Sequence, residues 1–561
     1  MQTRRTPQRI ATLAALLLLA SPALAGGDEA AEWGPAQARH LWNRAGFGAR
    51  AGQVERAVEL GREAQVAELI AGAYCDPFFY EPIERLEREA YAAMDEDGQR
   101  KERNRVAQEN RRLLAQFAGW WVEEMIDGRD PLRERMTLFW HGYFTSSARD
   151  VRETGAMIEQ NELLRERALG PFGELVAAIV RDPAMLEYLD NNQNRKGNPN
   201  ENFARELMEL FTLGEGNYSE EDVKQAARAL TGWITRRGDP DPRFLPRRHE
   251  RGKKTILGVT KDFDADSLVE LLLAQPACSR HLAGRLIESF EGRAPDERRL
   301  AEYAAFLAEN DYRVDLFLTR LFNDPAFYRP EVLGDKISSP IDYLVGTARR
   351  LGSEPPGELV WLAAGQLGQR LLDPPNVKGW EGGRAWITTS TYLQRGNFAG
   401  MMLGVVALED VLAADPEPAA DDAMLPADDS AMQPAPEGDA SDNRPGPGAA
   451  RTRPQVSREM GQVRRILAGS GYRPGVHLSA RARRAGAASD AQIVEQLAGD
   501  LLAVPLTDAG RATLLEFMAR ERAALEVEEG RLFDRDHTVA AELLLRRLAH
   551  LILSLPEAQL C

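Results

Sequence analysis

The sequence predicts a mainly α-helical fold: a large multi-helix core domain with long loops, followed by a small C-terminal helical domain. Apolar residues recur at helical spacing along most of the 561 residues, whereas alternating strand patterns are scarce. A hydrophobic content of 43% is enough for one or two large cores. We expect a signal peptide at 1–25, the core domain at 26–408, a disordered acidic linker at 409–456 and the C-terminal domain at 457–561.

Residues 1–25 have the pattern of a secretory signal peptide. Basic residues precede an apolar run from Ile10 to Ala20, and Ala23-Leu24-Ala25 is a small-x-small cleavage site. The apolar run is too short to span a bilayer, and no other stretch reaches the required length. We therefore expect a mature protein without a transmembrane helix, located outside the cytoplasm, in the periplasm or secreted.

The core domain is expected to consist of helices in series. The first long one runs from Pro82 to Met125 with a break at Asp95 to Gly98. Short extended segments are expected around Lys254 to Val259. Further amphipathic segments lie at 160–190, 220–235, 266–290, 296–308 and 313–323.

The acidic linker differs sharply in composition from its surroundings. Between Glu409 and Gly448 there are eleven acidic residues, one arginine and seven prolines. Such a segment buries too little apolar surface to fold, so we expect it to be disordered and the C-terminal domain to move semi-independently.

Composition also limits the classes of function. The net charge is −16, and removal of residues 1–25 would leave about −19, so the surface repels nucleic acid phosphates. No haem, nucleotide or flavin motif is present, and HExxH and GxSxG are also missing. The three cysteines (Cys75, Cys278 and Cys561) allow one disulfide at most and leave one thiol over.

The stretch 182–214 carries the clearest candidate site. Asn198 is a suitable N-cap, with Glu201 completing a capping box, so a helix should begin there and end at Gly214. One face of this helix is apolar. A separate polar stripe consists of Asn202, Glu206 and Glu209, flanked by Arg205.

Glu206 and Glu209 are three positions apart, so they can share a proton or a metal ion. Arg205 and Asn202 would orient them as catalytic residues. The alternative is a salt-bridged surface, because Arg205 stands four residues from both Glu201 and Glu209.

The loop before this helix resembles a calcium-binding loop. Arg195 replaces the glycine that the sharp turn of such a loop requires, so we expect weak calcium binding at most. The alternative is a helix connection rich in Asx turns. The candidate ligands are Asp190, Asn192, Asn194, Asn198 and Glu201.

The order of motifs resembles a bacterial exported family, domain of unknown function 1800. The similarity covers roughly residues 38–410 and leaves the linker and the C-terminal domain outside. It implies export and a mostly helical fold, and no established activity. It also implies genomic pairing with a second exported family, domain of unknown function 1501, which resembles alkaline phosphatases and sulfatases. The matching blocks are RHLWNRAGFGA (39–49), MTLFWHGYFTSS (136–147), DPAMLEYLDNNQNRKGNPNENFARELMELFTLGEGNY (182–218), ARALTGW (227–233), GKKTILG (252–258) and PPNVKGWEGGRAWI (374–387).

One block departs from the family pattern. Similar members often have a second histidine in WHxHF, where this chain has Tyr143, so a two-histidine metal site is not expected. His141 is either a hydrogen-bonded core residue or an auxiliary base that faces Glu206 and Glu209.

The PPNVKGWEGGRAW loop combines aromatic rings with cations. Trp380, Trp386, Lys378 and Arg384 could bind a sugar ring that bears an anionic group. Alternatively, the tryptophans close the loop onto the core.

Two functions follow. The first is a hydrolase-like enzyme acting on an extracytoplasmic polymer or anionic sugar fragment. The second is a non-catalytic partner of an exported protein of the domain of unknown function 1501 family.

Overall fold

The computed structural model describes residues 32–73, 76–236, 239–406, 469–534 and 537–561. The predicted signal peptide and acidic linker lie outside the described residues. Within the described ranges, none of the helices combines the length and the apolar character needed to cross a membrane. Cys278 and Cys561 are buried free thiols.

The described residues are mainly helical, as the sequence predicts, and contain 23 α-helices. The helices before the first strand are α1 (Pro35–Gly46), α2 (Gln53–Leu60), α3 (Arg62–Ala71), α4 (Arg88–Ala92), α5 (Glu96–Asp127), α6 (Pro131–Tyr143), α7 (Ala148–Val151), α8 (Thr154–Glu166), α9 (Phe172–Ile179), α10 (Pro183–Tyr188), α11 (Asn202–Met208) and α12 (Glu220–Ala229).

Two antiparallel hairpins follow and precede the remaining helices. The strands are β1 (Trp233–Arg236), β2 (Asp239–Phe244), β3 (Lys254–Ile256) and β4 (Val259–Lys261), paired β1 with β2 and β3 with β4. The later helices are α13 (Ala265–Leu273), α14 (Pro276–Glu291), α15 (Glu297–Glu309), α16 (Val314–Asn323), α17 (Pro340–Leu351), α18 (Gly357–Gln366), α19 (Thr389–Leu403), α20 (Leu478–Arg484), α21 (Asp490–Leu501), α22 (Asp508–Ala524) and α23 (Thr538–Leu553).

Local capping explains several of these boundaries. Asp95 accepts a hydrogen bond from the Gly98 amide, which starts α5. The expected interruption is present, but it lies at 93–95, and the helix predicted from Pro82 begins only at Arg88. Ser339 and Asp342 form a capping box at the start of α17. The β3–β4 hairpin confirms the extended segments expected around Lys254 to Val259.

Buried apolar side chains form two clusters. One, the first cluster, is built mainly from α1, α6 and the helices from α8 to α16. The other, the second cluster, combines α5 with α17, α18, α19 and the helices from α20 to α23. The long helix α5 packs along α18 and also contacts α17.

The C-terminal helices are integral to the second cluster. The Tyr343 hydroxyl of α17 donates to the Leu553 carbonyl of α23, and Ile337 pairs through its backbone with Leu560. Arg395 of α19 is fully buried and donates to the Gln559 side chain. The sequence does not indicate this shared core, and the predicted domain boundaries at 408 and 457 fall in the undescribed stretch between.

Buried ion pairs lie on α6. Glu134 accepts two hydrogen bonds from the Arg165 guanidinium, at 2.8 and 2.9 Å, and one from the Trp121 indole at 2.9 Å. The next residue, Arg135, forms an ion pair with Asp342 of α17 at 2.5 Å. This second pair connects the helix of the first cluster to a helix of the second.

A buried carboxyl group at the start of α10 gives a pH-dependent prediction. Asp182 accepts hydrogen bonds from the Met185 amide (2.8 Å) and the Gln160 side chain (2.6 Å), and burial raises its pKa to about 7. The folded protein therefore keeps this proton to a higher pH than the unfolded chain does. This group consequently lowers the free energy of unfolding as the pH rises from about 4 to about 7.

We expect Asp182→Asn to remove that pH dependence, because the amide oxygen can accept both hydrogen bonds without a charge. The variant should match the wild type at about pH 4 and exceed it by roughly 4 kcal/mol at about pH 8. Urea unfolding at both pH values measures the difference. A constant difference between variant and wild type across this range would contradict the assignment.

Candidate functional site

The predicted polar stripe lies on a helix that changes geometry. The α-helical part, α11, begins at Asn202, so the prediction of a start capped by Asn198 is wrong: the Asn198 amide donates to the Arg195 carbonyl in a turn. From Glu209 to Leu213 the chain continues as one π-helical turn, and it ends at Gly214 as predicted. Single π-helical turns within helices are frequent at functional sites.

Side chains from other helices stabilise the π-helical turn. The Tyr143 hydroxyl donates to the Phe211 carbonyl at 3.1 Å, and the His281 ring donates to the Leu210 carbonyl at 2.9 Å. Both carbonyls would otherwise lack a regular helical partner. Tyr143, the residue that replaces the second histidine of the family pattern, thus supports the turn that carries Glu209.

The two carboxylates of the stripe have different environments. Glu209 accepts a hydrogen bond from the Tyr218 hydroxyl. Glu206 is half-buried and has no hydrogen-bond or ion-pair partner among the residues that the structure describes. Burial, together with the neighbouring Glu209, raises the pKa of Glu206, and the nearby cations Lys378 and Arg205 only partly oppose this. Glu206 therefore keeps its proton to a higher pH than an ordinary exposed glutamate does.

Lys378 brings the PPNVKGWEGGRAW loop to this pair. Its ammonium group lies close enough to Glu206 to affect the carboxyl pKa, and it forms an exposed ion pair with Glu215 at 3.4 Å. The structure therefore brings together Glu206, Glu209 and Lys378, which the sequence singled out. Tyr218 and Glu215 were missed, although both lie in the GEGNY end of the same sequence block.

Arg205 and Asn202 do not have the orienting roles that the sequence indicated. The Arg205 guanidinium forms two hydrogen bonds with Glu220, at 2.8 and 2.7 Å, and a longer contact with Glu201 at 3.5 Å. Asn202 is exposed. Arg205 thus ties α11 to α12 and acts on Glu206 only through its charge.

His141 is a core residue and does not face the carboxylate pair. Its Nε2 accepts a hydrogen bond from the Leu372 amide at 3.1 Å, and burial lowers its pKa to about 4. The ring packs between Trp121 and Trp380. The interpretation of His141 as an auxiliary base is therefore wrong, because the neutral ring uses its basic nitrogen to hold the backbone.

The PPNVKGWEGGRAW loop packs on the end of α6. The Thr145 hydroxyl donates to the Val377 carbonyl. Gly379 has a φ of +82°, and a side chain at this position would collide with the Gly142 carbonyl. Trp380 is half-buried and retains an accessible part, whereas Trp386 is only 8% exposed. Trp386 therefore closes the loop onto the core, which corrects its assignment as a substrate-binding residue.

The two cations of this loop, Lys378 and Arg384, are both exposed. The charge of Lys378 acts on Glu206, whereas among the described residues no contact links Arg384 to the carboxylate pair.

The residues proposed to bind calcium do not fit that ion. Oxygens of the asparagine side chains accept backbone hydrogen bonds: Asn192 from the Thr235 amide at 2.8 Å and Asn194 from the Asn200 amide at 3.0 Å. Asp190 accepts from Gln193, and Glu201 turns toward Arg205. Among the described ranges, no cluster of three acidic, histidine or cysteine side chains is placed to hold a metal ion. The loop is a hydrogen-bonded helix connection.

Fold and site together define a multi-helical protein with a carboxylate pair where an α-helix continues into a π-helical turn. The chain belongs to the family described as proteins of unknown function, DUF1800, whose family model matches residues 40–560. No curated protein and no solved structure gives a match. The family match continues past residue 410, so the prediction that the C-terminal region lies outside the family is wrong.

Proposed function

We propose that this chain is an exported hydrolase that acts on an extracytoplasmic polymer or an anionic sugar fragment by acid–base catalysis. The observation that supports it most is the difference between the two carboxylates: Glu206 is half-buried, unpartnered and raised in pKa, whereas Glu209 is held by Tyr218. Pairs of carboxyl groups whose environments differ in this way commonly divide the roles of acid and base.

In this proposal Glu206, in its protonated form, donates its proton to the oxygen of the leaving group. Glu209 accepts a proton from the water molecule that attacks the carbon, so one C–O bond forms while another breaks. The Tyr218 hydroxyl fixes the orientation of Glu209. Lys378 attracts an anionic group of the substrate, and the accessible part of Trp380 offers a flat apolar surface to a sugar ring.

We expect Glu206→Gln and Glu209→Gln each to lower the hydrolytic rate by about a hundredfold or more. Glu206→Gln should leave the melting temperature unchanged or slightly higher, because the Glu206 carboxylate has no partner to lose. Activity is measured by screening the full-length mature chain against polysaccharides and anionic oligosaccharides, alone and with its candidate partner.

Glu221→Gln on α12 is the matched control, because Glu221 is exposed and lies outside the pair. Wild-type rates in both Glu206→Gln and Glu209→Gln, with an active control, would exclude acid–base catalysis by these residues.

A non-catalytic role is the second candidate, favoured by the burial of His141 and Trp386, which makes this region more of a structural support than an open cleft. The chain would then bind an exported protein of the domain of unknown function 1501 family. A pull-down of the mature protein distinguishes the two functions. Binding that survives Glu206→Gln, with no hydrolysis by the complex, would favour the partner role.

A further inference from the structure

A second polar site is formed by residues that are distant in sequence from the carboxylate pair. A crevice of about 40 Å³ opens between the residues that follow α1 and the helices α17, α20 and α21. That space suits about three water molecules or one small ion. Its charged lining residues are Arg39, Arg50, Arg350, Arg481, Glu55 and Asp500.

Most arginines of the crevice are held by neutral acceptors. Arg481 donates to the carbonyls of Arg350 and Leu351 at 2.6 and 2.9 Å, and Arg350 donates to the Asn43 side chain at 2.9 Å. Such contacts fix the guanidinium groups without neutralising them. Arg50 is the exception, because it also pairs with Asp127 outside the crevice, at 3.3 Å.

Arg39 lacks a direct counter-ion. Burial lowers its pKa, while the charges of Asp500 and Glu55 act in the opposite direction. Yet in the part of the chain that the structure describes, neither carboxylate forms an ion pair or hydrogen bond with Arg39. Arg39, Glu55 and Asp500 thus line the crevice without filling it by direct contacts with one another.

The interior behind the crevice adds further positive charge. Buried or half-buried cations surround Asp342, whose carboxylate acts on most of them. Guanidinium nitrogens of Arg44 and Arg349 have no acceptor among the described residues, although both side chains are at most 2% exposed. These cations are Arg44, Arg135, Lys336, Arg349 and Arg395.

We propose that the crevice binds a small tetrahedral oxyanion of the phosphate or sulfate class. Such an ion offers several acceptor oxygens to the four arginines that line one space, and its charge offsets the cations around and behind it. Because the crevice is lined by the sequence that follows α1 and by α20 and α21, the bound anion would connect the beginning of the family match to its end.

Inorganic phosphate and sulfate, added separately to the full-length mature protein, test this proposal. We expect either ion at about 10 mM to raise the melting temperature in a saturable way, beyond the effect of sodium chloride at equal ionic strength. Calorimetric titration then gives the dissociation constant. An equal response to chloride would overturn the proposal, because it would show charge screening only.

Two variants with opposite expected effects make the test specific. Arg39→Met should weaken binding at least tenfold, whereas Asp500→Asn should tighten it, because it removes a competing negative charge from the crevice. Arg298→Met changes an exposed arginine elsewhere and should leave binding unchanged. If Arg39→Met fails to fold, Asp500→Asn still decides: unchanged or weaker binding in that variant would overturn the proposal.

Discussion

Glu134→Gln is expected to lower the free energy of unfolding by about 3–5 kcal/mol. The Glu134 side chain is fully buried, and the Arg165 side chain that it binds is 5% exposed. Removing the carboxylate charge leaves the guanidinium with Glu162, at 2.8 Å, as its remaining ion-pair partner among the described residues, and weakens the acceptor of the Trp121 indole. Urea denaturation of wild type and variant measures the loss.

Two comparisons separate a stranded charge from a general packing defect. Glu162→Gln removes a more exposed partner of Arg165, so it should cost less than about 1 kcal/mol. The double variant Glu134→Leu with Arg165→Met removes both charges and should be more stable than Glu134→Gln alone. If the double variant is the less stable of the two, the loss does not arise from the stranded guanidinium.

Asp342→Asn is the second large effect, with an expected loss of about 3–5 kcal/mol at neutral pH. Burial alone would raise the pKa of Asp342, but Arg135 and Lys336 outweigh it and hold the pKa well below its ordinary value. The ionised carboxylate therefore stabilises the folded state above about pH 4, and this contribution declines as the pH falls below that value. In Asp342→Asn, the part of the pH dependence of folding stability that arises from Asp342 should be absent.

Stability profiles of wild type and Asp342→Asn between about pH 3 and about pH 7 measure this effect. Asp335→Asn serves as the control, because Asp335 is exposed and pairs with Arg293 at the surface. We expect the curves of wild type and Asp342→Asn to converge toward acidic pH. Parallel curves would show that the Asp342 charge does not contribute as described.

The helical architecture is predictable because its determinants are local. Asp95 caps α5, and Gly214 ends the helix of the candidate site, at the positions that their chemistry predicts. The π-helical turn is different, because Tyr143 and His281 support it from 68 and 71 positions away in sequence. No periodicity within residues 198–214 encodes those partners.

The candidate site was predictable only in part, for the same physical reason. Helical spacing is enough to place Glu206 and Glu209 together, but it cannot show that Lys378 reaches them from a distant loop. Helical spacing also does not show which residues are buried. Burial makes His141 a neutral hydrogen-bond acceptor and encloses Trp386. Spacing also does not show that backbone amides donate to the oxygens of Asn192 and Asn194, which favours the hydrogen-bonded connection over a calcium loop.

Contacts of α17 with both ends of the matched region affect how the chain folds during its synthesis. Arg349 and Arg350 of α17 bind Gly48 and Asn43, which precede them by 301 and 307 positions, and Tyr343 binds Leu553, which follows it by 210. Loops of this length close slowly. The contacts that stabilise them can form only after the later residue has left the ribosome. During synthesis α1 and α5 therefore remain for a long interval without these later partners, and chaperones can bind the unfolded chain in that interval.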